Sequence, residues 1–170
     1  MERESTGETA RRGRPRVPRS YGVPASNEGT LSWDHVDTRM KHARNYWLST
    51  VRPGGRPHAV PVWGVWVEQT FHFGGGSTTR KARNLQANAS VVVHSESGEE
   101  VVILEGVAKE VTDPRMLERI DEAYEKKYGI RHGTPVWSVR PAIVLAWSSF
   151  PTDATRWVFS PEVRSDVEEG

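Results

Sequence analysis

The residues with the clearest chemical potential lie in one short stretch, FGGGSTTRKARNL, which covers residues 73–85. Three glycines and three hydroxyl residues are typical of a loop that leads into a helix, and Arg80, Lys81 and Arg83 follow in what should be its first turns. Unpaired N–H groups already make a helix N-terminus electropositive, so each cation placed there costs about 0.3–1 kcal/mol. A bound dianion would reverse that cost, because N–H groups, hydroxyls and cations would all donate to it.

Two other interpretations of the cations stay open on this segment alone. Acidic side chains could neutralise them, with Glu96, Glu99 and Glu100 as the candidates, or the cations could extend into solvent. The segment is not a Walker A loop, because it lacks the G-x-x-x-x-G-K-[ST] spacing. The loop therefore indicates a phosphate site only together with the elements around it.

Other catalytic chemistry has little support in the sequence. The chain has no cysteine, which excludes disulfides, thiolate metal sites and a cysteine nucleophile. Neither a GxSxG nor an HExxH motif occurs. Three histidines, His58, His72 and His94, fall on predicted strands without ligand spacing, so we predict no metal site. His132, in the loop 128–137, is placed to border a substrate pocket, but no catalytic residue is identified.

Length and composition predict one folded domain with two tails. The chain has 170 residues and a net charge of +1. Residues 1–30 are rich in Arg, Pro, Gly, Ser and Glu, so we expect a basic tail that does not fold. Residues 31–160 form the expected domain and residues 161–170 an acidic tail. The basic run at residues 11–19 suits a solvated tail or a nucleic-acid-binding arm.

No apolar run is long enough to span a membrane, and the N-terminus lacks the apolar core of a signal peptide, so we expect a cytoplasmic protein without a membrane partner.

The pattern of elements is mainly β with short helices, as in a small barrel. A short helix begins at Ser32, a second spans residues 79–88, and a third is capped by Asp113, has Pro114 in its first position and ends at Gly129. The predicted strands are residues 45–51, 57–67, 70–73, 90–96, 101–111, 142–150 and 156–160. Strand 57–67 is apolar on both faces, so we expect the barrel core on one side and a helix or a second subunit on the other.

Three segments in this order, YWLSTVRPGGRPHAVPVWGVW, FHFGGGSTTRKARNLQANASVVVH and VVILEGVAKEV, resemble the pyridoxamine 5'-phosphate oxidase-like, FMN-binding split-barrel family. Within it, the chain is most similar to the actinobacterial flavin/deazaflavin-dependent oxidoreductases. The resemblance covers about residues 32–160. It implies a six-stranded Greek-key split barrel that forms a homodimer, with two cofactor sites at the subunit interface.

The resemblance also implies the cofactor-binding residues. The S/T-R-K motif would hold the cofactor phosphate, the preceding strand would lay its backbone along the ring system, and a Trp and a basic residue of the partner subunit would cover the cofactor. Carried onto this chain, these residues are Ser77, Thr78, Thr79, Arg80 and Lys81; Val60, Pro61 and Val62; and Trp147 and Arg156, with Trp137 as another candidate. Pro61 would equally suit a barrel-edge strand or a bulge, and the tryptophans would suit packing.

The implied function is hydride transfer between bound coenzyme F-420 or FMN and a small organic substrate. F-420 is slightly favoured, because the pattern W-x-x-T-V-R-P-G-G-R-P-H is similar to that of the actinobacterial members. Its oligoglutamate tail would also favour extra cations near the site, for which Arg83 and Lys41 are the candidates. Oxidation of pyridoxamine phosphate is not expected, since RWVFS has Val158 where those oxidases carry a histidine. Two alternatives remain: a non-catalytic FMN-, F-420- or haem-binding protein, and a barrel that binds nucleic acid.

Overall fold

The computed structural model describes residues 10–160. Within them the helices are α1 (Trp33–His42), α2 (Arg80–Ala87) and α3 (Pro114–Tyr128). The strands are β1 (Ala10–Gly13), β2 (Tyr46–Val51), β3 (Pro57–Val62), β4 (Gly64–Val67), β5 (Thr70–Gly74), β6 (Ser90–Ser95), β7 (Val101–Glu110), β8 (Val136–Trp147) and β9 (Thr155–Phe159). None of the helices in this part of the chain is long and apolar enough to cross a membrane.

The strands form one antiparallel sheet that curls around a core. Its order is β1-β9-β8-β7-β6-β2-β3, and β5 pairs with both β8 and β4. The ladder does not close, because β3 pairs with β2 whereas β4 pairs with β5. Only Trp63 separates β3 from β4, so the chain itself joins the two ends. With β3 and β4 counted as one bent strand, the sheet is the predicted six-stranded split barrel, extended by β1 and β9.

The strand predicted at residues 57–67 is broken at Trp63, but its two faces are those expected from the sequence. Val62 and Trp66 lie in the barrel core. Val65 lies on the opposite side, in a second cluster with Ile120 and Tyr124 of α3. Helix α3 therefore covers the outer face of β4.

Helix α3 has the predicted ends. The Asp113 carboxylate accepts a hydrogen bond from the Arg115 backbone N–H at 3.2 Å, and Pro114 is the first helical residue. Gly129 ends the helix in the left-handed conformation, with φ of 76°. Both ends follow from local chemistry, since proline at the first position needs no hydrogen-bond partner and glycine has no Cβ to clash.

Strand β8 begins six residues before the predicted strand at 142. Pro141 lacks an N–H donor and normally argues against a central strand. Here it lies beside an irregularity: the register between β7 and β8 shifts between Glu105 and Gly106, so that Gly106 pairs with Pro141 while Glu105 pairs with Ile143. The bulge accommodates the proline, and residues 136–140 continue to pair with β5 and β7.

The prediction that residues 1–30 do not fold is wrong from Ala10 onward. Strand β1 pairs antiparallel with β9, with Ala10 opposite Phe159. The Arg14 guanidinium donates to four backbone carbonyls, those of Ser26, Glu28, Thr152 and Ala154. Backbone pairing and one multidentate arginine thus order a segment that contains few apolar residues. Residues 1–9 and the predicted acidic tail 161–170 lie outside the described residues.

Candidate cofactor site

The glycine-rich loop leads directly into helix α2, close to the predicted boundary. Thr79 is the N-cap, and its hydroxyl accepts a hydrogen bond from the Ala82 N–H at 3.3 Å. Its own N–H donates to the Gly76 carbonyl at 3.0 Å, which curls the loop back on itself. Ser77 and Thr78 are exposed at the tip of this turn. The hydroxyls therefore lie beside the free N–H groups at the electropositive end of α2.

Lys81 folds back over the loop instead of extending into solvent. A Cβ added to Gly75 would lie 2.3 Å from the Lys81 Nζ, so only glycine permits this position. Gly75 also has a φ of 148°, which L-residues rarely adopt. Lys81 is half-buried, and burial lowers its pKa. Its ammonium group is thus held against the backbone at the start of α2.

Two of the three acids proposed to neutralise the cations contact other groups, and the Glu99 carboxylate forms no ion pair with residues 10–160. Glu96 accepts a hydrogen bond from the Asn45 amide at 3.0 Å, and Glu100 pairs with Arg39. Among residues 10–160, the side chains of Arg80, Lys81 and Arg83 form no ion pair and no hydrogen bond. Three cations at a helix N-terminus are therefore left without compensation by the described residues.

Lys41, considered as a further cation for an oligoglutamate tail, pairs with Asp37 one helical turn away. It is therefore already engaged within α1.

The His132 side chain contacts the glycine loop. The sequence placed His132 near a pocket only through its position in the loop 128–137. The His132 ring fills the space beside Gly74: a Cβ added to Gly74 would lie 1.9 Å from the His132 Cε1. Asp121 of α3 fixes the turn, because its carboxylate accepts from the N–H groups of His132 and Gly133 at 2.9 Å each. The ring also packs against Tyr124, with 5.0 Å between centroids. No short motif signals this contact, since it depends on how α3 docks onto the barrel.

A buried polar link joins α2 to strands β2 and β3. The Asn84 side-chain amide donates to the Thr50 hydroxyl at 2.9 Å, and that hydroxyl lies 3.3 Å from the His58 Nδ1. The Asn84 Oδ1 is buried without a hydrogen-bond partner, and so is the Nε of Arg52, two residues after Thr50. Buried polar atoms in folded proteins nearly always have partners. No sequence motif singled out Arg52.

These features fit a phosphate-bearing cofactor. The unpaired cations, the Gly75 backbone that a side chain can approach closely, and the free N–H groups of α2 all suit a bound dianion. None of the groups that would donate to the dianion at the start of α2 is a carboxylate, which would repel it.

Val60, Pro61 and Val62 lie on β3, which is the last strand of the ladder and pairs only with β2. Pro61 stands opposite Trp47 and is exposed, whereas Val62 is buried. An edge strand tolerates proline because one side of its backbone needs no partner. The same edge leaves backbone groups of β3 accessible to a ligand.

The outer face of the barrel carries a mixed apolar and polar band beside this edge. Residues directly opposite one another on adjacent strands share a face, and Trp47, near the β3 end of the band, is 39% exposed. One row of such cross-strand neighbours is Pro61, Trp47, His94, Ile103, Leu145 and Arg156, and the parallel row is Ala59, Ser49, Val92, Glu105, Ile143 and Val158. We call these two rows the outer band.

Within one chain, Trp147 and Arg156 do not join the other candidate residues. Arg156 lies on β9, and four strands separate β9 from β3, about 24 Å along the sheet at ordinary strand spacing. Trp147 is half-buried near the end of β8 and packs against Phe150 at 5.5 Å. Both residues belong to strands of the outer band, far from the start of α2.

Trp137, the alternative, is buried in the barrel core and stacks on Phe73 at 5.6 Å. It also lines a cavity of about 250 Å³ that Ser77 and Ala82 border from the α2 side. In the described part of the chain, no group of three or more His, Asp or Glu side chains is placed to hold a metal ion.

Comparison with known proteins agrees with this architecture. Residues 32–150 match the family model described as pyridoxamine 5'-phosphate oxidase. No curated protein matches the sequence.

Several solved structures share the fold at low sequence identity. One is a protein from Listeria innocua described as a putative pyridoxamine 5'-phosphate oxidase, at 21% identity, covering 68% of this chain and 98% of that one, with a TM-score of 0.58. Another is an F420 reductase, at 21% identity, covering 64% of this chain and 94% of that one, with a TM-score of 0.52. A third is the haem storage protein HutZ from Vibrio cholerae, at 18% identity, covering 64% of this chain and 88% of that one, with a TM-score of 0.52.

The family match covers most of the described residues, and the bent β3–β4 strand, the glycine loop and α2 all lie within it. The chain therefore belongs to the pyridoxamine 5'-phosphate oxidase family of split-barrel proteins.

Proposed function

We propose that the protein is a flavin- or deazaflavin-dependent oxidoreductase that transfers a hydride between bound F-420 or FMN and a small organic substrate. The bound ring would supply the hydride chemistry, and the protein would bind and orient it. F-420 remains slightly favoured. The cytoplasmic location predicted from the sequence belongs to the same proposal.

The observation that carries the proposal is the uncompensated charge at the start of α2. Arg80, Lys81 and Arg83 have no acidic partner among the described residues. Lys81 is held over Gly75 despite a burial that lowers its pKa. A cofactor phosphate would accept hydrogen bonds from Lys81, from the hydroxyls of the loop and from the free N–H groups of α2, which would offset the repulsion.

A homodimer would complete the site. The outer band leaves Trp47 exposed and Ile103, Ile143 and Leu145 half-buried in one chain, and exposed apolar surface of this kind is typical of an interaction surface. A two-fold interface pairs the same surface of both subunits. It would bring Trp147 and Arg156 of a second copy towards the exposed edge at Val60, Pro61 and Val62.

Pyridoxamine phosphate itself is not the proposed substrate. Val158 follows Arg156 by two residues and shares its face of β9, where the resemblance called for a histidine. A valine cannot donate a hydrogen bond to a second phosphate.

The test is a parallel titration of the purified apo-protein with FMN and F-420, for the wild type and two variants. Lys81→Ala should weaken binding of the preferred cofactor by about 1.5–3 kcal/mol, the scale of a charged hydrogen bond. The control variant Lys126→Ala removes an exposed cation from the last turn of α3. It should leave the affinities for FMN and F-420 unchanged. Equal titration curves for wild type and Lys81→Ala would remove the phosphate role of α2.

The same preparation separates the enzyme from a non-catalytic binding protein. A dimer that binds FMN, F-420 or haem but neither oxidises nor reduces the bound cofactor with any of a panel of electron-poor C=C and C=N substrates would favour storage or sensing. Steeply salt-dependent binding of single-stranded DNA or RNA would instead favour the nucleic-acid-binding alternative.

A further inference from the structure

A second cavity lies on the outside of the barrel, beside the face of β5 that points away from the core and away from the start of α2. It has a volume of about 520 Å³ and runs between the β4–β5 turn, the beginning of α3 and the outer faces of β5, β7 and β8. We call it the α3 groove. None of the residues that line it belongs to the candidate cofactor site, although Glu110 borders both this groove and the smaller cavity beside Ser77.

His72 lines the groove and is left unsatisfied by the described residues. It is only 2% exposed, and both ring nitrogens are buried without a hydrogen-bond partner. Burial lowers the pKa of His72 to about 4, against a smaller opposing effect of the Val67 backbone, so the ring is neutral at physiological pH. A neutral imidazole offers one donor and one acceptor. Leaving both unused is unfavourable unless a bound molecule supplies the partners.

A cation stands across the groove from this histidine. His72, Ser138 and Lys109 are directly opposite one another on β5, β8 and β7, which separates the first and last by about 10 Å between backbones. The Lys109 side chain is exposed and its ammonium group forms no hydrogen bond or ion pair with residues 10–160, although the Lys109 carbonyl accepts a hydrogen bond from the Ser138 hydroxyl at 3.3 Å. Arg140, on the same face of β8, also lines the groove.

The acids around the groove are partly engaged elsewhere. Glu68 pairs with Arg119, and Asp113 caps the N-terminus of α3. Glu110 lies at the border with the smaller cavity. Between the two polar ends, the walls are apolar, formed by Val67, Val107, Val111 and Met116.

We propose that the α3 groove binds a small monocarboxylate with an apolar or aromatic body and a hydroxyl or carbonyl group at its far end. The carboxylate contacts Lys109, the body packs against the apolar walls, and the far polar group hydrogen-bonds to His72. The backbones of β5 and β7 are roughly 10 Å apart, and the Lys109 side chain covers part of that distance. A molecule of this kind spans the rest. The inference concerns a site distinct from the cofactor site and stands or falls separately from it.

The test uses the full chain and three related probes followed by calorimetry and backbone NMR. The probe para-hydroxybenzoate carries both polar ends, benzoate lacks the hydroxyl that would meet His72, and para-hydroxybenzamide lacks the charge that would meet Lys109. We expect para-hydroxybenzoate to bind at least about tenfold more tightly than either analogue. The amide shifts should centre on β5, β7 and the first turn of α3.

Variants decide whether the two polar ends act as proposed. Lys109→Gln should weaken para-hydroxybenzoate by about tenfold or more, whereas Lys126→Gln, an exposed cation at the far end of α3, should not. His72→Phe should keep or raise the melting temperature of the free protein, because it removes unsatisfied polar atoms, while it abolishes the preference for para-hydroxybenzoate over benzoate. If His72→Phe does not fold, Lys109→Gln and the analogues decide alone.

The proposal is overturned if para-hydroxybenzoate shows no saturable binding, if the three probes bind equally, or if Lys109→Gln leaves the affinity unchanged. It is also overturned if His72→Phe lowers the melting temperature and leaves the probe preference intact, since His72 would then have a purely structural role. Loss of FMN or F-420 binding in Lys81→Ala would not affect any of these outcomes.

Discussion

Replacing Arg14 by alanine should release the N-terminal arm from the barrel. The guanidinium donates to the carbonyls of Ser26 and Glu28 within the arm, and to those of Thr152 and Ala154 just before β9. It therefore fastens the arm at the end of the sheet where β1 pairs with β9. Few apolar contacts hold the arm besides this fork: β1 is the four-residue sequence ARRG, Ala10 packs against the core, and Tyr21 packs against Phe150.

The expected effect follows from the exposure of the four bonds. Three of them are exposed, so their carbonyls regain water and each contributes only a few tenths of a kcal/mol to about 1 kcal/mol. The bond to Ala154 is partly buried at 3.1 Å, and an unsatisfied carbonyl there costs about 1–3 kcal/mol. We expect Arg14→Ala to lower the free energy of unfolding by about 2–3 kcal/mol, and the melting temperature by about 4–10 °C.

Urea unfolding of three variants tests this reasoning. Arg14→Lys keeps the charge but cannot span four carbonyls with one ammonium group, so it should recover less than half of the loss. Arg16→Ala removes an exposed arginine of the same arm that forms no hydrogen bond with the described residues, and should change stability by less than about 0.5 kcal/mol. Equal stabilities for Arg14→Ala and Arg16→Ala would refute the role of the fork.

Three further predictions concern the cofactor site, the outer band and His72. Gly75→Ala places a Cβ 2.3 Å from the Lys81 Nζ and also strains a backbone with a φ of 148°, so it should weaken FMN or F-420 binding in the wild type and cost less, though not nothing, in a Lys81→Ala background; fully additive losses in a double-mutant cycle would contradict the contact with Lys81. If the proposed homodimer forms through the outer band, Trp47→Glu should give a monomer in light scattering where the wild type gives a dimer, whereas Ile130→Glu, at a residue 46% exposed beyond α3, should not. Burial holds the pKa of His72 at about 4, below its ordinary 6.5, so the unfolded state takes up the proton first. Relative to His72→Phe, the wild type should therefore lose about 3 kcal/mol as the pH falls from about 6.5 to 4, and parallel urea-unfolding profiles would exclude this titration.

The prediction of α3 and α2 succeeded because their ends are local. Asp113, Pro114 and Gly129 determine the bounds of α3 through hydrogen bonds and backbone conformations within a few residues. Thr79 does the same for α2. The two faces of the β3–β4 segment were likewise predictable, because side chains alternate along a strand whatever it packs against.

The sequence misjudged the elements whose stability comes from distant partners. Residues 10–13 look unfolded by composition and become a strand only because β9 offers a free edge. Strand β8 passes through Pro141 because the register with β7 shifts there, with Ala142 of β8 as the extra residue of the bulge. In both cases the deciding hydrogen bonds join residues more than 30 positions apart.

By itself, then, the sequence determined the barrel class, the helix ends and the cluster of cations at the start of α2, since these depend on residue type and short spacing. The tertiary structure alone decided that Lys81 folds over Gly75, that His132 meets Gly74 and that the glutamates lie elsewhere. It also placed Arg156 four strands from β3, apart from the other candidate residues within one chain. Contacts between side chains far apart along the chain depend on how the sheet curls, and no local pattern records that curvature.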